Sequence, residues 1–147
     1  MKKVLLLFLF VFSTSILLFG CNEMKEKPKK DDFGLEKAQK IEISSAKESE
    51  VIFNTIDSED VPEFVAALKV DKWEITDIPS DETQENIYKM YQEDTIKLGE
   101  SNSEKKELKE FATITTYKKS PYINFSSKNL NFSFKVPKDV AEYLSNQ

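Results

Sequence analysis

The 147-residue sequence contains no histidine, and all 21 of its basic residues are lysine. Without histidine there is no Ser-His or Cys-His pair, no usual zinc ligand and no side chain naturally poised near neutral pH. Without arginine the chain lacks the planar fork that grips phosphate and carboxylate through two hydrogen bonds. Nucleic acid is therefore a poor partner. A single cysteine, Cys21, allows no disulfide within the chain, so the fold must be held by its core.

Long apolar runs are also scarce, and the one present lies at the N-terminus. Met1-Lys2-Lys3 supplies positive charge, Val4 to Phe12 is unbroken apolar sequence, and Ile16 to Phe19 resumes it after Ser13-Thr14-Ser15. This is the layout of a secretory signal peptide. Val4 to Phe19 spans 16 residues. That is about 24 Å of helix at ~1.5 Å per residue, short of a hydrocarbon core about 30 Å thick. Leu18-Phe19-Gly20-Cys21 closes the run. An aliphatic residue three before a cysteine and a small one directly before it resemble the bacterial lipobox. The resemblance implies cleavage between Gly20 and Cys21 and a thioether-linked diacylglycerol on the Cys21 thiol. Phe19 departs from the pattern, since a small residue is usual there. Two acyl chains give a stable anchor, at about 0.8 kcal/mol per buried methylene. The expected partner at that end is membrane lipid; no other cofactor and no metal is expected.

Removing residues 1–20 leaves 19 lysines against 26 acids. The charge is uneven: residues 41–110 carry 19 acids and 8 lysines, whereas residues 111–147 carry 5 lysines and 2 acids. Charged solvent faces account for this simply. A cationic partner for the acidic part is the sharper reading.

Three regions follow from the pattern: a signal peptide over 1–20, a lipidated end with a charged linker over 21–40, and one α+β domain over 41–147. The linker, Asn22 to Lys40, is rich in lysine and acid around Pro28 and too polar to order itself, and its 19 residues span roughly 25 Å as a coil. Ile41–Ser44 and Val51–Ile56 read as a hairpin turned at Glu48-Ser49-Glu50. Asp60, Pro62 and Glu63 mark a helix start with a capping box, and Val61, Phe64, Val65 and Leu68 share its apolar face. Trp73–Thr76 reads as a strand. Residues 85–98 read as a hairpin turned at Glu93-Asp94, because Ile87, Tyr88, Tyr91, Thr95 and Ile96 favour strands; a helix is the alternative. Glu100 to Glu110 reads as loop or short exposed helix. Three alternating runs from Phe111 to Val136 then form an antiparallel meander, and Pro137 opens a last short helix. The expected architecture is therefore an antiparallel sheet with two short helices packed on it.

Candidate chemistry is thin. Ser44-Ser45-Ala46-Lys47 and Ser103-Glu104-Lys105-Lys106 match S-x-x-K, in which a lysine one helical turn on can activate a serine. Neither has a K-T-G or S-D-N partner, and chance explains both in a chain this rich in serine and lysine. Asp57, Glu59 and Asp60 could hold calcium, but acids at a helix start are expected from capping and the helix dipole alone. Trp73, Tyr117, Tyr122, Phe125, Phe132 and Phe134 could line a groove and are more readily core. Val61-Pro62 and Val136-Pro137 open an echo, V-P-x-x-V-A, that shared helix-start chemistry also explains.

With the lipobox and lysine-rich tether, Lys69-Val70-Asp71-Lys72-Trp73, Met90-Tyr91-Gln92-Glu93-Asp94 and Phe134-Lys135-Val136-Pro137 resemble uncharacterised small lipoproteins of Gram-positive bacilli. The resemblance covers most of the chain and implies a fold and an address only. The resulting expectation is an extracytoplasmic, membrane-anchored lipoprotein. It would act as a non-enzymatic binding module on an envelope component, such as an envelope protein. The alternative is an envelope enzyme using carboxylate, lysine or serine chemistry on cell-wall or peptide substrates. No oligomeric state follows from the sequence.

Overall fold

Strands that alternate apolar and polar residues bury one face and wet the other, and this chain builds its sheet that way. The computed structural model describes residues 33–93, 107–128 and 130–147. The strands are β1 (Lys40–Ser45), β2 (Glu48–Asp57), β3 (Glu74–Ile75), β4 (Gln84–Glu93), β5 (Leu108–Tyr117), β6 (Tyr122–Ser127) and β7 (Leu130–Lys135). They form one antiparallel sheet in the order β2-β1-β4-β5-β6-β7-β3. Helices α1 (Val61–Ala67) and α2 (Lys138–Ser145) complete an α+β fold.

The core lies between the helices and one sheet face. Register sets Ile41 beside Met90, Ile43 beside Tyr88, Tyr88 beside Ile114 and Ile114 beside Phe125. All are buried, with Val61, Phe64 and Val65 of α1 and Val140 and Leu144 of α2 in the same cluster. On the other face the register sets Thr113 by Ser126, Thr115 by Asn124 and Asn124 by Ser133. Asn124 Nδ2 donates to Asn131 Oδ1 at 2.7 Å there, a polar ladder suited to solvent.

Several expectations are corrected. Residues 33–40 do not behave as tether: Leu35 and Ala38 are buried in the core, and Phe33 packs on Phe125 with ring centroids 4.7 Å apart. A 3-10 turn over Leu35–Lys37, entered through Gly34 at φ 61°, aims Leu35 inward. The first hairpin turns at Ala46-Lys47, and Glu48-Ser49-Glu50 belong to β2. Residues 84–93 form one continuous strand paired with β1 and β5, which is the first arm expected of the hairpin turned at Glu93-Asp94 and excludes the helix alternative there. Residues 94–98 lie outside the described residues. Leu108 to Glu110, expected as loop or helix, begin β5. Asp60 makes no side-chain cap bond, because its own backbone is already helical at φ −94°, ψ −14°; a capping side chain needs an extended backbone. Of the expected strand Trp73–Thr76, only Glu74 and Ile75 pair, against Lys135 and Phe134. The V-P echo marks two strand-to-helix junctions out of step: Pro62 lies inside the first turn of α1, whereas Pro137 is the residue before α2.

Ser44 is buried, and its Oγ has no hydrogen-bond partner among the described residues. An unpaired buried hydroxyl costs stability. Ser44→Ala is therefore expected to stabilise the protein by roughly 0.5–1 kcal/mol. Thermal melts of the two proteins check this, and a lower midpoint in the variant would contradict it.

Candidate functional site

A groove of about 860 Å³ opens where the β5–β6 turn, the end of β7, the start of β3 and one side of α2 meet. Its floor comes from prolines and small apolar groups. Val136 is buried below it, and its N–H donates to Pro121 O at 2.8 Å, which fastens the β5–β6 turn to the end of β7. Ala141 faces it from α2. The turn is tight enough to place Lys119 in left-handed backbone at φ 50°. That costs a non-glycine residue about 1 kcal/mol, and it projects this lysine to the groove rim.

Four lysines and two glutamates line the groove: Lys72, Lys119, Lys135, Lys138, Glu74 and Glu142. Lys138 pairs with Glu142 across one turn of α2 at 3.4 Å. Lys72, Lys119 and Lys135 form no ion pair among the described residues. Glu74 and Lys135 are register partners in β3 and β7 without meeting as an ion pair. Three ammonium groups are thus free to face an incoming anion above an apolar floor.

The groove holds hydroxyls but no assembled nucleophile. Ser120 Oγ accepts the Tyr122 N–H at 3.3 Å, and among the described residues no bond joins Ser120 or Ser145 to a lysine or glutamate. Nearby, Lys69 pairs with Asp139 and ties the end of α1 to the start of α2. The Lys69 hydrogen bond holds the Asp139 carboxyl below the usual carboxylate range.

The remaining polar cluster lies on the open sheet face. Lys40 Nζ meets Glu42 Oε1 at 2.6 Å, and this bond keeps Glu42 ionised below its ordinary pKa. Partial burial, reinforced by the Glu42 carboxylate, pushes Tyr91 up to about 12. Tyr91 therefore stays neutral at physiological pH and serves as a hydrogen-bond donor, not a base.

The sequence candidates fall as follows. Gly20 and Cys21 lie outside the described residues, as does the second S-x-x-K, Ser103 to Lys106. In the first, Ser44 is buried and Lys47 is exposed in the hairpin turn, so no serine–lysine pair forms. Asp57, Glu59 and Asp60 are exposed, and among the described residues no three carboxylates gather into a metal-holding group. Trp73, Phe125 and Phe134 are core, Tyr117 and Tyr122 are half-buried, and Phe132 is exposed. No local pattern marks the groove lysines, because they come from three separate stretches. The only sequence trace is the positive balance of residues 111–147, which supply Lys119, Lys135 and Lys138. No family model, curated protein or solved structure matches the chain.

Proposed function

We propose that this protein is a non-enzymatic binding module, held on the outer face of the cell membrane by a diacylglycerol on Cys21. The groove beside α2 would take a ligand with an anionic group on an apolar body. The observation that carries the binding half is the set of three lysines without carboxylate partners above the Val136 floor. Pockets of several hundred Å³, mostly apolar with a few placed polar groups, are the common form of ligand sites. Lysine serves there as a point charge for phosphate or carboxylate, in a chain that has no arginine. The anchor half rests on Leu18-Phe19-Gly20-Cys21.

One experiment has two arms. Dodecyl phosphate below its micelle concentration is titrated into the purified chain, with uncharged dodecyl maltoside as the control. Saturable binding of the phosphate is expected, weakened at least about tenfold, near 1.4 kcal/mol, in a Lys72→Gln/Lys119→Gln/Lys135→Gln variant. Equal binding by that variant would sink the groove reading. In cells, fatty-acid label is expected on the wild type and absent from Cys21→Ser. Equal labelling of both would end the anchor reading and leave the groove result untouched.

A further inference from the structure

The two edges of the sheet are built differently. At one edge β3 is two residues long, is followed by Pro79 and pairs only with Phe134 and Lys135 of β7. At the other edge β2 runs for ten residues and contains neither proline nor lysine. Only Ile56 of β2 is buried, while Val51, Ile52 and Phe53 are 57%, 47% and 53% exposed. An outermost strand carries unpaired N–H and C=O groups, which natural proteins usually shorten, cover, or interrupt with lysine or proline. Here the strand is long and carries three consecutive apolar side chains. The β1–β2 register slips twice: Ile43 faces Asn54 and Ser44 faces Ile52, then Ser45 faces Glu48, leaving Phe53 and Ser49-Glu50-Val51 without opposite residues. Such a bulge re-aims side chains at an edge.

We propose that β2 is a docking strand for an extended cationic segment of another protein. That segment would add to the sheet outside β2, with basic side chains alternating with apolar ones. Main-chain hydrogen bonds supply affinity in this mode, and side chains supply choice of partner. Charge selects the occupant. From Glu48 to Leu68 the chain carries six acids and no lysine. Glu48, Glu50 and Asp57 stand on the strand itself, and all three are exposed. A second copy of the chain fits poorly. Two-fold antiparallel pairing about Ile52 and Phe53 would set Glu48 against Asp57 at both ends, and like charges directly opposite destabilise. An anionic lipid surface is repelled by the same carboxylates. A strand with lysine or arginine at alternate positions turns cations to one face and apolar side chains to the other, and so offers partners to both the acids and the exposed apolar side chains of β2. The proposal is independent of both the groove and the anchor.

The test uses the purified chain and a fluorescent ten-residue peptide alternating lysine and valine. A second peptide carries the same side chains with alternate backbone nitrogens methylated, which removes donors on one edge. A third replaces lysine with glutamate. Saturable binding of the first is expected, at least about tenfold weaker for the methylated peptide and weaker again for the glutamate peptide. Glu48→Lys/Glu50→Lys, a change at exposed positions, should reverse the preference between the lysine and glutamate peptides. Equal binding of the methylated peptide would reduce the attraction to charge alone and overturn the proposal. So would self-association of the chain that Val51→Lys abolishes, since a second copy would then occupy the edge.

Discussion

Trp73→Ala is expected to destabilise the protein by about 3–5 kcal/mol, the usual cost of emptying a large aromatic site. Trp73 is fully buried, and the single tryptophan of the chain sits at the join of several elements. Its ring lies 5.3 Å from Phe134 of β7 and 5.6 Å from Phe33, which in turn packs edge-on against Phe125 of β6. Its Nε1–H donates to Leu68 O at 2.7 Å, just past the end of α1. That bond satisfies a carbonyl that a helix end leaves without a partner. A 3-10 turn over Val70–Lys72, entered through Lys69 at φ 48°, carries the chain from α1 to this position. The substitution thus removes packing between α1, β7 and the entry segment, and orphans a buried carbonyl. Domains of this size are stable by only about 5–15 kcal/mol, so a large part of the margin is lost. Urea unfolding followed by circular dichroism measures it. Trp73→Phe separates the two contributions: it keeps an aromatic ring but no donor, and should cost roughly 1–3 kcal/mol for the orphaned carbonyl together with some lost volume. A cost below 1 kcal/mol for Trp73→Ala would mean that the site collapses freely and that the aromatic cluster is not a structural join.

The same elements show what the sequence makes legible. Helix α1 announces itself because Val61, Phe64, Val65 and Leu68 repeat at helical spacing, and all four are buried. The β5–β7 meander does so because Ile114, Ile123, Phe125 and Phe134 alternate with Thr, Asn and Ser along strands that bury one face only. The first hairpin turn is hidden in the sequence for a physical reason. Glu48-Ser49-Glu50 lie on an edge strand where polar side chains meet only water, so polarity imitates a turn. Phe33 and Leu35 read as linker because lysine and acid surround them, and average hydropathy hides single residues that dock from afar. Residues 84–93 resist a single reading because both faces carry large residues: Tyr88 and Met90 face the core, while Ile87, Lys89 and Tyr91 lie half-buried on the open face. The groove was invisible to any local pattern. Lys72, Lys119 and Lys135 meet only after β7 has come between β3 and β6.

Alkaline unfolding is the second large effect, and Tyr88 is its centre. Tyr88 stands on β4 in the middle of the sheet, fully buried, with its ring stacked on Phe64 of α1 at 5.7 Å. Its hydroxyl donates to Leu144 O in the last turn of α2. One side chain therefore joins the sheet to both helices. Burial raises its pKa well above the ordinary value of 10.0, since a phenolate would be stripped of water and would face a carbonyl oxygen. The sign follows from linkage. Below pH 10 both folded and unfolded states hold the proton, and the stabilisation is complete. Above pH 10 the unfolded chain releases it while the folded chain keeps it, so stability falls until the folded pKa is passed. The slope approaches about 1.4 kcal/mol per pH unit for one such group well above pH 10, a loss of about 2.3 kcal/mol from pH 10 to 12. Burial raises Tyr143 and Tyr91 in the same direction, so they add to the loss.

Tyr88→Phe isolates this contribution. At pH 8 the variant should be less stable by roughly 1–2 kcal/mol, because Leu144 O loses its donor while the ring stays packed. Above pH 10 it lacks the titrating hydroxyl, so its stability should fall less steeply by one proton's slope. The two curves are then expected to converge near pH 11, beyond which the variant is the more stable protein. Urea midpoints at pH 8, 10, 11 and 12 for both proteins trace this. Parallel curves would mean that the Tyr88 hydroxyl reaches water in the folded state and that its bond to α2 does not close the core.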